Sequence, residues 1–416
     1  MKKPIRIISL VLIAIVLVSS FLAYGRSQYA YDVPGMMGMQ GGPEAVSIDP
    51  AAPTAGIRGP FVETHGAAVS MDKDLRTLPQ NGPDKKRPMR EMGERPTVVK
   101  DQGPDTVIQT NKAVAGRPIT GTTLAVAPAP IKTFKGLDLT NWGAGWPPDT
   151  HGDVGPSHYI QAVNTSIGIF DKATGTRLAA FTFDNFFVAN GGSGACATLN
   201  YGDPIVLYDR QADRWLISEF AASDNVFCVC ISRTGDPVSG GWYAYGFKVP
   251  TFPDYPKYAV WATDANGGVG SYVVTTNEIT NKESSGVYAL DRGAMLAGEA
   301  ASLQRFLIPW LTGFAINTVT PAEPDGPLGP PAGEAAIIMR YRDTEAHDGP
   351  VAPGDLLEMW RFDVDWINSR NTTLIQAPSI DVSEFDSSLC PSVAFQCIPQ
   401  PDTTVLLDDM HEVLMH

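Results

Sequence analysis

Apolar and polar positions divide the chain into three parts. From residue 131 onward, short runs rich in Val, Ile, Tyr, Phe and Trp recur between clusters of Gly, Pro, Asp and Asn. Runs of that length bounded by turn residues predict β-strands. The strands are expected over 158–164, 166–170, 176–181, 205–208, 214–220, 227–232, 242–249, 258–261, 271–275, 286–290, 335–341 and 356–362. Residues 172–175 and 210–213 read as turns between hairpin arms, and 292–301 as a helix. Short strands at this density predict an all-β fold. With about 40–50 residues per blade, residues 131–416 suit a β-propeller of about six blades. A two-sheet β-sandwich is the alternative.

The first 25 residues follow a different pattern. Met1-Lys2-Lys3-Pro4-Ile5-Arg6 is basic, residues 7–18 are apolar except for Ser9, and Ala23-Tyr24-Gly25 has small outer residues. This is the layout of a signal peptide with its cleavage site. The stretch also approaches the ~20 apolar residues that span a bilayer, so an N-terminal membrane anchor is the second reading. Either reading implies export, to the periplasm, the cell surface or the medium. Residues 26–130 show no sustained apolar period and include the low-complexity run 33–42. They are expected to form a disordered linker, since no apolar face offsets the entropy of ordering.

Charge narrows the list of partners. The net charge is −14, and residues 131–416 carry 34 acidic against 16 basic residues. Such a surface repels nucleic acid and anionic lipid, while a divalent cation or a basic partner suits it.

Cysteine usage agrees with an oxidising compartment. The five are Cys196, Cys228, Cys230, Cys390 and Cys397. Cys228 and Cys230 share one strand face and cannot easily bond each other, so Cys196 can reach only one of them. Cys390 and Cys397 bracket a short loop containing proline. The odd count leaves one thiol over.

Two joins between a turn-rich loop and a strand carry the most specific wording. One is Pro147-Pro148-Asp149-Thr150-His151-Gly152-Asp153-Val154-Gly155-Pro156 before the strand 158–164. The other is Gly202-Asp203-Pro204 before 205–208. With Asp254-Tyr255-Pro256-Lys257-Tyr258-Ala259-Val260-Trp261 and Cys397-Ile398-Pro399-Gln400-Pro401, these blocks resemble a family of large secreted bacterial proteins. Its patterns run PPDTNGDVGPxHYVQ, GDPxVLYDxxADRW, YPKxxVW and CIPQP. The resemblance covers about 140–416 and implies a sialidase-like propeller architecture with no assigned activity. It also implies disulfides Cys196–Cys228 and Cys390–Cys397, leaving Cys230 free. Here His151 replaces an Asn of the pattern, and Cys230 a small apolar residue. In that family more strands follow the segment like 406–415, so a C-terminally truncated propeller is expected.

Candidate chemistry is sparse. Asp149, His151 and Asp153 alternate in a Gly/Pro loop, and Asp149 and Asp153 are candidate Ca²⁺ ligands. Against this stand Val154 and Ile160, which break the calcium-loop pattern, and the tendency of Asp to brace turns. A sialidase-like site needs converging arginines and a Tyr/Glu pair. Arg210, Arg214, Arg233, Arg340, Arg342 and Arg361 are available for it, as are Tyr208, Tyr341 and Glu219. No nucleophile elbow or phosphate loop is present. The sequence therefore predicts an exported binding or scaffold module for a protein or glycan ligand. A glycan-active hydrolase is the alternative.

Overall fold

The computed structural model describes residues 56–84, 130–144, 148–189, 191–221, 224–278, 284–311, 319–324, 328–344 and 355–383, with the single residues 326, 347 and 385 and the pairs 398–399 and 406–407. The expected signal or anchor segment and the cysteines 390 and 397 lie outside these residues. No helix among the described residues is long and apolar enough to cross a membrane.

Two early strands, β1 (Arg58–Thr64) and β2 (Val69–Met71), precede a 3₁₀ turn at Leu75–Thr77. Four antiparallel meanders follow. The first joins β3 (His151–Val154), β4 (His158–Val163), β5 (Ser166–Asp171) and β6 (Arg177–Thr182). Two helices, α1 (Phe183–Ala189) and α2 (Ala195–Thr198), lead to the second. It holds β7 (Ile205–Asp209), β8 (Arg214–Ala221), β9 (Val226–Ser232) and β10 (Trp242–Lys248). The third holds β11 (Pro253–Trp261), β12 (Ser271–Glu278), β13 (Ser284–Asp291) and, after α3 (Arg292–Ala297), β14 (Ser302–Pro309). The fourth holds β15 (Thr320–Pro321), β16 (Ala336–Arg342), β17 (Leu356–Asp363) and β18 (Thr373–Gln376), with β19 (Ile380–Asp381) also on β17. A last pair joins β20 (Ile398–Pro399) and β21 (Leu406–Leu407).

The all-β expectation therefore holds at the level of several four- and five-stranded antiparallel sheets with few helices. The turns 172–175 and 210–213 do separate paired strands. The predicted helix ends earlier, at Ala297, because Gly298 adopts the left-handed conformation that caps it.

Side-chain alternation explains why the central strands read as unbroken apolar runs. On β9, Cys228 and Cys230 pack with Ile160, Ile169 and Phe181 of the first sheet. Val229 and Ile231, on the opposite face, pack with Tyr258, Tyr272 and Tyr288 of the third. Both faces are buried, so an apolar residue suits every position. A third core lies between sheets three and four, around Phe306, Ile308, Trp360 and Phe362. The sheets thus pack face on face in chain order.

The first strands of successive sheets lie side by side. His151 Nδ1 accepts from the Val206 amide at 3.2 Å and Asp153 Oδ2 from the Tyr208 amide at 2.7 Å, binding β3 to β7. Glu323 Oε2 likewise accepts from the Val260 amide of β11 at 2.8 Å.

The linker expectation for 26–130 fails over residues 58–80. β1 pairs with β14 and β2 pairs with β10, each as an added outer strand. The segment lacks an internal apolar period because its partners are distant sheet edges, which supply the ladder and the apolar sockets that its own sequence does not.

Candidate functional site

The sequence-predicted residues at 149–153 divide between different tasks. Asp149 sits at φ 45° before β3, and its carboxylate accepts from Asn164 Nδ2 at 3.1 Å. Burial raises its pKa above the ordinary carboxylate range. Asp153 uses one oxygen on its own Val154 amide and the other on β7. Among the described residues, no three His, Cys, Asp or Glu side chains gather as a metal cage.

The backbone marks one end of the first strands. Asp149, Asp203 and Tyr255 all have positive φ, at 45°, 48° and 51°. Asp149 lies two residues before β3 and Asp203 two before β7. Tyr255 lies inside a register break of β11, two before Lys257, where pairing resumes. Aspartate tolerates this region, whereas a bulky Tyr there is strained. The neighbouring first strands run in the same direction, as the bonds 151–206 and 153–208 require. Asp149 and Asp203 therefore stand at the leading ends of β3 and β7, and Lys257 of β11 lies near enough to Asp203 to feel its charge.

Glu219 stands at this end on β8 and is buried to 2% exposure. Its Oε1 accepts from the Gly202 amide at 2.9 Å. Its Oε2 is buried without a hydrogen-bond partner, and so is Oδ1 of Asn200. Asn200 donates through Nδ2 to Asp184, in the first turn of α1. Desolvation pushes the Glu219 carboxyl well above its ordinary pKa, and the charges of Asp184 and Asp203 push it further. Burial thus favours the protonated form of the group, against the Gly202 and Tyr201 backbone hydrogen bonds that favour the carboxylate. Burial pulls the Lys257 ammonium down while Asp203 opposes that shift, and the ammonium lies 4.1 Å from the centre of the Tyr255 ring. The cluster combines a buried carboxyl, an aspartate, an ammonium and an aromatic ring. That set can exchange hydrogen bonds with hydroxyl or amine groups and cover an apolar face.

A disulfide supports the same corner. Cys196 on α2 bonds Cys228 on β9, with Cα atoms 5.5 Å apart, as the resemblance implied, and Cys230 is free and buried. Cys228 is the ladder partner of Glu219, so the bridge ties the α2 loop to the strand pair carrying that carboxyl.

No protein-family model matches the chain. No curated protein matches it either. Among solved structures it is similar to the GH43 endo-arabinanase from Bacillus licheniformis, at 11% identity and a TM-score of 0.26. The alignment covers 55% of this chain and 92% of the arabinanase. So loose a likeness assigns neither fold nor activity.

The arginines considered for a sialidase-like site do not converge. Arg340 and Arg342 both bind Glu358 at 2.7 and 3.2 Å. Arg361 binds Glu334 at 2.8 Å and Arg233 binds Asp72. Arg214 donates to carbonyls of its own turn, and Tyr208 to Asp213. Of that material only Glu219 reaches the cluster. Sequence reasoning gave Lys257, Asn200 and Asp184 no role. The proline after two of the three left-handed residues, in Asp203-Pro204 and Tyr255-Pro256, was the available signal.

Proposed function

We propose that the chain is an exported β-propeller that works as a binding or scaffold module, taking its ligand at the leading ends of the first strands. The four meanders read as four blades of a propeller of about six, with β20 and β21 opening another. The disulfide suits an oxidising compartment outside the cytoplasm. One observation carries the ligand assignment. Two oxygens, Glu219 Oε2 and Asn200 Oδ1, are buried without partners; Glu219 feels the charges of Asp184 and Asp203, Asn200 donates to Asp184, and Lys257 feels the charge of Asp203. Buried polar atoms without partners cost about 1–3 kcal/mol each, and a ligand rich in hydroxyl or amine groups would satisfy them. A glycan or a basic protein segment has that chemistry.

Glu219 also favours the second reading, a glycan-active hydrolase. A carboxyl with a raised pKa that feels the charge of a second carboxyl, Asp203, is the kind of pairing that glycosidic-bond hydrolysis uses. A glycan array and a panel of fluorogenic glycosides applied to the full chain separate the two. The binding reading expects glycan or protein capture that falls at least tenfold in Asp203→Asn, with no turnover. Turnover lost in Glu219→Gln would replace it with the hydrolase. Capture unaffected by either substitution would remove the site from the account.

A further inference from the structure

Residues 58–80 touch three sheets in the reverse of chain order. β1 extends the third sheet at β14, and His65 and Ala68 donate to the Ala301 and Gly298 carbonyls at 2.8 and 3.3 Å. β2 extends the second sheet at β10, and the Leu75 amide donates to the Val238 carbonyl at 2.9 Å. Gln80 Oε1 then accepts from the Ala180 amide of β6 in the first sheet at 2.7 Å.

The attachment is uneven. Leu75, Met71 and Leu78 are inserted in the core between the first two sheets. β1, by contrast, leaves Phe61 and Val62 at 43% and 47% exposure, and its ladder breaks between Arg58 and Phe61. β2 is three residues long. The cores between sheets two and three and between three and four hold no fully buried residue of this segment. Each sheet is complete as four strands continuous in the chain. The segment adds a fifth strand to two of them. Few buried side chains and an edge ladder mark the low-stability end of a fold.

We propose that residues 58–80 are a detachable strap, and that the outer edges of β14, β10 and β6 are its acceptor surface, on which this segment docks from its own chain. All its partners are made later in synthesis; Ser302, bonded to Thr64, follows it by 238 residues. Docking is therefore the last step of assembly, since long-range contacts form after local ones. Until then the edges of β10 and β14 are open to another strand. Three apolar side chains in sockets, rather than the ladder, decide which strand is accepted.

The test uses the full chain carrying a protease recognition sequence inserted after Lys100. Once it is cut, a fluorescent peptide of residues 56–84 is added. The proposal expects the peptide to replace the native fragment without loss of the β-sheet circular dichroism signal. It also expects a Leu75→Asp peptide to bind at least tenfold more weakly, and the uncut chain to resist exchange because its own strap is tethered. Two results overturn the proposal. One is release of the fragment only at denaturant concentrations that unfold the sheets. The other is equal binding of both peptides.

Discussion

Glu219 and Glu278 are both buried carboxyls near the end of the second strand of successive sheets, yet their surroundings are opposite. Glu278 on β12 receives Arg305 Nε at 2.9 Å and Tyr288 Oη at 2.6 Å on one oxygen, and Arg305 Nη2 and the Thr251 hydroxyl on the other. Every partner comes from its own sheet or the adjoining loop. Glu219 receives the Gly202 amide on one oxygen, keeps the other unpartnered, and faces two more carboxylates. Asp209 repeats the first pattern between sheets, clasped by Arg292 at 2.7 and 2.9 Å and by Tyr272 at 3.0 Å. Glu278, Asp209 and Glu358 each receive an arginine, while Asp355 receives the Thr344 and Phe385 amides on its two oxygens. Glu219 differs from these in leaving one buried oxygen without a hydrogen-bond partner, which points toward a ligand.

The comparison breaks most visibly through Arg305→Ala. That change leaves Glu278 buried with only hydroxyl donors, and removing one member of a buried pair costs about 3–5 kcal/mol. Chemical denaturation should register that loss, with Glu219→Gln costing none. Equal losses would mean that Glu219 is as structural as Glu278.

The disulfide should rank second. Cys196–Cys228 closes a separation of 32 residues, which corresponds to about 3–4 kcal/mol in the loop-entropy account. Cys196→Ser should lower the unfolding free energy by that amount, read from chemical denaturation. Hydrogen exchange should rise at the Glu219 corner first and leave the Glu278–Arg305 pair protected. Uniform loss of protection would contradict a local tie.

Much of this architecture was legible in the sequence, and the gaps have physical causes. The strands of the second sheet were read nearly to the residue, because burial on both faces leaves apolar runs bounded by Gly and Asp, whereas in the third sheet β11 begins five residues before the expected start and β14 went unread. β3 was read as a turn, since a first strand that uses His151 and Asp153 as bonding groups carries no apolar pattern. α1 went unread although Phe183, Phe186 and Phe187 have helical spacing, because seven residues are too few to show a period. β1 and β2 could not be read at all, since their partners lie more than 150 positions away. The unsatisfied oxygens of the site were also invisible, because only the folded chain decides which polar atoms lose water.

A pH series sharpens the comparison with the smallest effect. The ordinary pKa of the Glu219 carboxyl is 4.5, and in the fold it lies well above that. Below pH 4.5 both folded and unfolded chains hold the proton. As pH rises from there toward the folded pKa the unfolded chain ionises first, and the fold loses up to about 1.4 kcal/mol per pH unit. Glu219→Gln lacks this loss, so the variant should gain on the parent across that window, read from denaturation midpoints at several pH values. A constant difference would mean that Glu219 ionises normally in the fold.

The most direct measurement is the infrared carboxyl band at neutral pH, compared between the parent chain and Glu219→Gln. The account predicts a protonated carboxylic C=O stretch in the parent that disappears in the variant. Spectra that differ only in the carboxylate bands would mean that Glu219 is ionised, and would contradict the claim that this corner is a neutral acid awaiting a ligand.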